Sequence, residues 1–253
     1  PSDITSNSNL DINTFINQPN NILGIEYIKA RMRFNSKINP VPLKRLGAGY
    51  HSLDTGTKLA SATGIRTAMA NKDNISGLLP DNCLNIIKNH TTIEYNDFST
   101  VLGSKLLSMD TLDHIEGINQ DLSNRIANNK YNFTDIETFI PMLQSKNYTY
   151  SAISRALLHI ILDIKTDDIK EFVNNNYAMI LGFTKKSGVL SEISKSTKIP
   201  LVSKFATFYK EADNNQRKML DINLKADNLY RMIYMNKTSE ILPTEFQRQI
   251  IIK

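Results

Sequence analysis

Cysteine is nearly missing from this chain: Cys83 stands alone among 253 residues. One thiol cannot close an internal disulfide, and it has no thiol partner for a zinc site. It reads as a reduced thiol in or near the core. Long apolar runs are missing too, since no stretch approaches the ~20 residues that a membrane-spanning helix needs. Pro1–Leu10 is polar and offers neither the basic start nor the apolar stretch of a secretory signal. We find no internal repeat, no low-complexity block and no glycine-rich dinucleotide fingerprint. These absences argue against a disulfide-stapled secreted module, a membrane protein built from spanning helices and a repeat solenoid. The expectation is a cytoplasmic globular chain, with hydrophobic residues at 41%, enough to fill a sizeable core.

The net charge of +5 says little until it is placed along the chain. Residues 1–72 hold nine Lys/Arg against four Asp/Glu. Residues 73–140 reverse this, with four against ten, and residues 141–253 are basic again, with 17 against 11. Two basic segments around an acidic middle suit a polyanion that touches two regions of the surface; an unevenly charged solvated surface gives the same count.

Apolar spacing predicts a helix from Asn21 to about Phe34, with Ile22, Ile25, Ile28 and Met32 on one side and Asn20 as its cap. Ile38–Leu46 reads as a strand with an irregular start, because Pro40 and Pro42 interrupt it. A polar loop then leads to Ser61 or Thr63, either of which can cap a helix to about Ala70. From 80 to 165 the pattern is mostly helical: Leu84 and Ile87, then Phe98–Ser108, Asp113–Asn128, Phe133–Gln144 capped by Thr134, and Tyr150–Ile164. Tyr177–Phe183 and Ile199–Val202 read as short strands flanking a helix at 188–196, a small βαβ-like unit. Residues 210–235 read as one or two final helices, and Ile250–Ile252 is apolar enough to pack back.

Helix, strand, loop and capped helix over residues 19–70 make the second half of an open α/β nucleotide fold. In such folds ligands sit at the carboxyl ends of the strands, where Arg45 and the Ser61–Arg66 helix start would meet. A guanidinium pairs bidentately with phosphate, and free amides at a helix start attract anions. A surface arginine beside an ordinary cap would look the same. Downstream, Lys146, Tyr148, Tyr150 and Arg155 mix cations with aromatic rings, as a surface for phosphates and unpaired bases would; packed tyrosines beside a solvated stripe are the plainer reading. Lys185 and Lys186 are further phosphate candidates. His159 reads as a hydrogen-bonded structural histidine before it reads as a base, and no metal-ligating set stands out.

Gln18–Ala30, Pro42–Ser52 and Ala60–Arg66 resemble matching segments of the tRNA(Met) cytidine acetate ligase family, whose Ser-Ala-Thr-x-Ile-Arg motif corresponds to Ser61, Ala62, Thr63, Ile65 and Arg66. The resemblance continues through Lys146–Tyr150 with Arg155 and His159, Ile180–Phe183 and Ala226–Tyr230, so it covers essentially the whole chain in order. It implies a nucleotidyltransferase-type Rossmann fold, here the α/β remainder of that domain, followed by a mostly helical α+β region. The implied division is residues 1–72 for the Rossmann half, 73–170 for a helical domain and 171–253 for a small α/β and helical tRNA-binding region. The implied reaction activates acetate with ATP to an acetyl-adenylate and transfers the acetyl group to the wobble cytidine of elongator tRNA(Met), with Mg²⁺ expected. It implies ATP contacts at Asn20, Arg45, Ser61, Thr63 and Arg66, and a tRNA partner, not DNA or a membrane; the residues expected to hold that tRNA are Lys146, Tyr148, Tyr150 and Arg155, with Lys185 and Lys186 as weaker candidates that plain solubility explains as well. The family's Asn-Pro-Phe-His-Asn-Gly-His type motif is missing, because none of His51, His90, His114 and His159 sits in one. The chain is therefore expected to be a truncated form, inactive alone and limited to tRNA binding. Two rivals remain: a nucleotidyltransferase acting on a small metabolite, and an RNA-binding module without catalysis.

Overall fold

Pro19 opens the first helix, α1 (Pro19–Arg33), where its missing N–H is no loss because the first-turn amides have no helical partner. The structure, a computed structural model, describes residues 16, 18–43, 60–169, 176–185 and 188–253. Gln18 is the N-cap of α1 and makes no side-chain cap bond. Asn20, expected as the cap, instead lies inside the first turn, exposed. After α1 the Arg31 Nε donates to the carbonyl of Ile38 at 2.7 Å. Residues 36–43 form no strand. Pro40 and Pro42 supply no ladder N–H, and the remainder of the expected strand, 44–46, falls outside the described residues. The second helix, α2 (Ala62–Ala70), is capped by Ser61.

The chain divides into two units, Pro1–Asp81 and Asn82–Lys253. The second holds the main core. Its helices are α3 (Asp81–Asn89, which begins at the boundary), α4 (Ser99–Ser108), α5 (Gln120–Asn129), α6 (Ile136–Leu143) and α7 (Tyr150–Leu162). Helix α7 presents Ile153, Ala156, Leu157, Ile160 and Ile161, all buried, to Leu102 and Leu106 of α4, Leu122 and Ile126 of α5, and Phe139, Ile140 and Leu143 of α6. Each fully buried aliphatic side chain contributes about 1.5–3 kcal/mol, so this apolar stripe fixes the helical bundle. The Phe133 ring meets Phe139 edge-on at 5.0 Å.

Helix α6 shows how polar side chains set a helix start. Asp135, not Thr134, is its cap, accepting from the Thr138 N–H at 2.9 Å. Buried Ser99 on α4 accepts from the Ile136 N–H at 3.1 Å, and Asn96 from the Glu137 N–H at 3.1 Å. Three first-turn amides that the helix cannot satisfy itself thereby find acceptors.

The remaining elements are β1 (Ala178–Met179), β2 (Gly182–Phe183), α8 (Val189–Ser196), β3 (Leu201–Val202), α9 (Phe205–Glu211), α10 (Asn214–Thr238) and β4 (Ile251–Ile252). β1 and β3 pair in parallel, Ala178 opposite Leu201, and α8 lies in the connection, as a βαβ unit requires. β2 and β4 also pair in parallel, Gly182 opposite Ile251, so the apolar tail does pack back. Helix α10 starts from a capping box of Asp213 with Gln216. It then runs along the bundle, setting Leu229 against the core, Lys225 Nζ on the Leu162 carbonyl at 2.7 Å and Lys237 on Asp97 at 2.8 Å.

Candidate nucleotide and RNA sites

Ser61 is fully buried, and its hydroxyl accepts from the Gly64 N–H at 2.9 Å. Its carbonyl accepts from the Ile65 N–H at 3.0 Å. The hydroxyl is thereby committed to starting α2, a role in which serine and threonine are favoured. Thr63 is half-buried in the first turn, and Arg66 is exposed on α2. A small, capped helix entry with an exposed guanidinium on the same helix can hold an anionic group near the amide end. Asn20 stands on α1, and Arg45 falls outside the described residues.

The expected RNA-facing residues in the second unit gather around the start of α7. Thr149 caps that helix, its hydroxyl accepting from the Ala152 N–H at 3.3 Å. Lys146 is exposed in the turn closed by Ser145 and Tyr148. Tyr148 differs from its neighbours: its ring packs against the core, and its hydroxyl donates to Asn119 Oδ1 at 2.5 Å. The same Asn119 oxygen caps α5 by accepting from the Leu122 N–H at 3.0 Å. Tyr148 is therefore tied into the structure from both ends. Tyr150 is 44% exposed, and partial burial, with the negative charge of Glu137 beside it, pushes its phenol above the usual value. Arg155, one helical turn on, is exposed and available to a phosphate. Lys185 is also exposed, its backbone N–H bonded to the Lys253 carbonyl at 2.9 Å next to the β2–β4 pair. Lys186 lies outside the described residues.

His159, in step with Ser151 and Arg155 on α7, points its Nδ1 at the Glu116 carbonyl, 2.7 Å away. Since a carbonyl only accepts, Nδ1 carries the proton in this contact. Sequence reasoning passed over Asn119, which caps its own helix α5, and Ser99 and Asn96, whose side chains cap α6 from another element. A polar residue directly before a periodic apolar run was the available signal for Asn119. None marked Ser99 and Asn96, because their partners lie on another helix. Among the described residues no group of three or more His, Cys, Asp or Glu could hold a metal ion, and no helix is long and apolar enough to cross a membrane.

Residues 2–244 match the family described as HIGH Nucleotidyl Transferase. The chain is 31% identical over 239 residues to the tRNA(Met) cytidine acetate ligase of Thermoanaerobacter sp. (strain X514), covering 91% of this chain and 59% of that protein. It is 34% identical over 225 residues to the tRNA(Met) cytidine acetate ligase of Caldanaerobacter subterraneus subsp. tengcongensis, covering 86% of this chain and 56% of that one. The chain thus spans less than two thirds of the length of these curated relatives. Among solved structures, Thermotoga maritima TmcAL in its apo form superposes with a TM-score of 0.81 at 23% identity, over 94% of this chain and 61% of that one. A second crystal form of that protein, bound with alpha-thio ATP, gives 0.80 at 23% identity over the same shares. The likeness gives the fold: a Rossmann-like nucleotidyltransferase half followed by a largely helical region with a few short parallel strands. With the family match running over nearly its whole length, this chain belongs to the HIGH nucleotidyl transferase family.

Proposed function

We propose that the protein acetylates the wobble cytidine of elongator tRNA(Met), using acetate and ATP. The observation that carries this is the identity with tRNA(Met) cytidine acetate ligases over 91% of the chain. The ATP analogue bound to the TmcAL of Thermotoga maritima supports the nucleotide half of the reading. In this reaction an acetate oxygen attacks the α-phosphorus of ATP and pyrophosphate leaves. The cytidine amine then attacks the acetyl carbonyl, AMP departs and the amine loses a proton. No step needs an acyl-enzyme, so positioning and charge neutralisation do most of the work.

In this reading Asn20, Arg45, Thr63 and Arg66 contact ATP, and Ser61 keeps the α2 entry in shape by capping it. The described residues offer no cage for a resident cation. Any Mg²⁺ enters on the phosphates of ATP, as this ion usually does. Lys146, Tyr150, Arg155, Lys185 and Lys186 contact the RNA, with Tyr148 positioning the turn that carries Lys146. We place the protein in the cytoplasm, where its tRNA is.

Since no histidine of this sequence lies in the family's nucleotide-gripping motif, these 253 residues alone should bind ATP weakly and serve to hold tRNA. Micromolar ATP binding by this chain in isothermal titration would overturn that part. Loss of acetylcytidine from tRNA of a strain lacking the gene, measured by mass spectrometry, tests the activity itself. Unchanged acetylcytidine sinks it, and acetate-dependent ATP–pyrophosphate exchange distinguishes this ligase from a plain RNA-binding module.

A further inference from the structure

A cleft of about 240 Å³ opens in the second unit between β1, the Leu181 link that follows it, α10 and the turn at Glu245–Gln247, lined by Tyr177, Leu181, Asn223, Asp227, Glu245 and Arg248 among others. It is smaller than the ~300–1,000 Å³ of pockets that enclose drug-sized ligands, and so suits a single flat ring. Its walls are built, not incidental. Tyr177 is half-buried, its ring 5.3 Å from that of Phe208, and its hydroxyl accepts from the Asn223 amide at 3.0 Å. The Glu245 side chain is only 11% exposed and accepts from Arg248 Nη1 at 3.2 Å. Phe246 meets Phe205 edge-on at 5.3 Å and Tyr209 at 5.5 Å, which anchors the turn that carries Glu245. Asp227 stands at the exposed rim, and its carboxyl forms no hydrogen bond or ion pair within the described residues. Burial on the cleft side, with Glu245 nearby, raises the Asp227 carboxyl above its ordinary range against the lowering effect of Arg248.

Two segments that resemble the ligase family, Ile180–Phe183 and Ala226–Tyr230, meet here: Leu181, Ala226 and Asp227 all line the cleft. An exposed carboxylate whose oxygens no described protein group occupies, at the lip of a cleft, can accept from a ligand that donates N–H. An aromatic wall calls for one that is flat. Arg248, 55% exposed at the mouth, offers a charge to a phosphate.

We propose that this cleft receives one unpaired nucleobase bearing an exocyclic amine (cytosine, adenine or guanine, as against uracil) from the bound RNA, with Asp227 accepting from the amine and Tyr177 flanking the ring. The pairing follows the general rule that Asp and Glu accept from a base amine while aromatic rings take the base face. The proposal rests on the RNA reading above and adds to it a site for base selection, apart from the cations around α7.

The test is a titration of the isotope-labelled 253-residue chain with cytidine, adenosine and uridine at millimolar concentration, followed by amide chemical shifts. Shifts at Tyr177, Leu181, Asn223–Asp227 and Glu245–Arg248 are expected with cytidine or adenosine and not with uridine. Asp227→Asn should weaken the amine-bearing nucleoside about tenfold, and Glu245→Gln, a change on a different segment, should weaken it as well. Equal shifts with uridine, no shifts at these amides, or unchanged affinity in both variants would each overturn the proposal. Anisotropy with an anticodon stem–loop of elongator tRNA(Met) is the separate arm. No stem–loop binding with the nucleoside shifts intact sinks the RNA reading and leaves the cleft assignment standing.

Discussion

His159 Nδ1 lies 2.7 Å from the carbonyl oxygen of Glu116, joining the last part of α7 to the turn that precedes α5. Glu116 is held from its other side as well, its N–H donating to the Ile164 carbonyl at 3.0 Å. His159→Ala therefore leaves a partly buried carbonyl without its donor, at a cost of about 1–3 kcal/mol. Urea denaturation should show the lower midpoint, while RNA affinity measured under native conditions should not change. A variant of full stability with impaired RNA binding would instead assign His159 to the interface.

The residues at the start of α7 should separate into two behaviours. Lys146→Ala and Arg155→Ala each remove an exposed cation and should each lower tRNA affinity, reducing the slope of log affinity against log salt by about 1. Tyr148→Phe deletes the hydroxyl bonded to Asn119 and should lower the melting temperature with the salt slope intact. Affinity that ignores both cation variants across a salt titration removes this face from the RNA-binding surface.

The Asp97–Lys237 pair, at 2.8 Å, connects the turn before α4 to the last turn of α10. Partial burial raises the Asp97 carboxyl, but the Glu94 N–H at 2.7 Å and Lys237 together outweigh it and hold the group below its ordinary range. A carboxyl lowered in the folded state stabilises above its unfolded pKa of ~3.9, and that stability is lost as pH falls through the folded value. Asp97→Asn should leave less stability to lose on the acid side, flattening the thermal-stability profile below about pH 4. The gain at neutral pH is small, under about 1 kcal/mol, because both groups are partly solvated. Parallel acid profiles for the two proteins would show that Asp97 is not a source of the acid sensitivity.

Gly182 on β2 has no room for a side chain, since a Cβ there would sit 2.7 Å from the Ile251 carbonyl oxygen on β4. The obstacle is backbone, so Gly182→Ala must push the tail away. We expect a loss of about 1–3 kcal/mol and faster amide exchange at Lys185 and Lys253, whose N–H groups belong to this pairing. Unaltered exchange at both positions would show that the strands tolerate the added methyl.

How legible the molecule was depends on how local the cause was. Helix α7 could be read because Ile153, Leu157, Ile160 and Ile161 repeat at helical spacing and all are buried. The βαβ order could be read because apolar runs and a helical stretch alternate. Asp113–Asn128 misled at its start for a physical reason: Leu112, Ile115 and Ile118 are buried at steps of three, but in consecutive turns in which the Ile115 and Ile118 N–H groups bond the carbonyls of Leu112 and Ile115. Gly117, at φ 80°, then breaks any helical course before Asn119 starts α5. Three-residue turns and helix share that spacing, so periodicity could not tell them apart. Over its described part, residues 38–43, the expected strand failed locally as well, at two prolines. For the site, the Ser61 cap was visible in sequence, whereas the meeting of Tyr177, Asp227 and Glu245 depends on three segments far apart in the chain.

Helix α10 is tied at successive points along its length: Tyr209 to Asp221, Lys225 to the end of α7, Leu229 to the core and Lys237 to Asp97. At 25 residues and 1.5 Å per residue it is about 37 Å long. A rod tied at several points along its length opens less readily in pieces than one tied at a single end. We expect opening near the Asp227 cleft to be coupled to opening of the α4–α7 bundle, and hydrogen exchange that reports the two as separate events would show that it is not. A base seated beside Asp227 would then stiffen helices that it never touches.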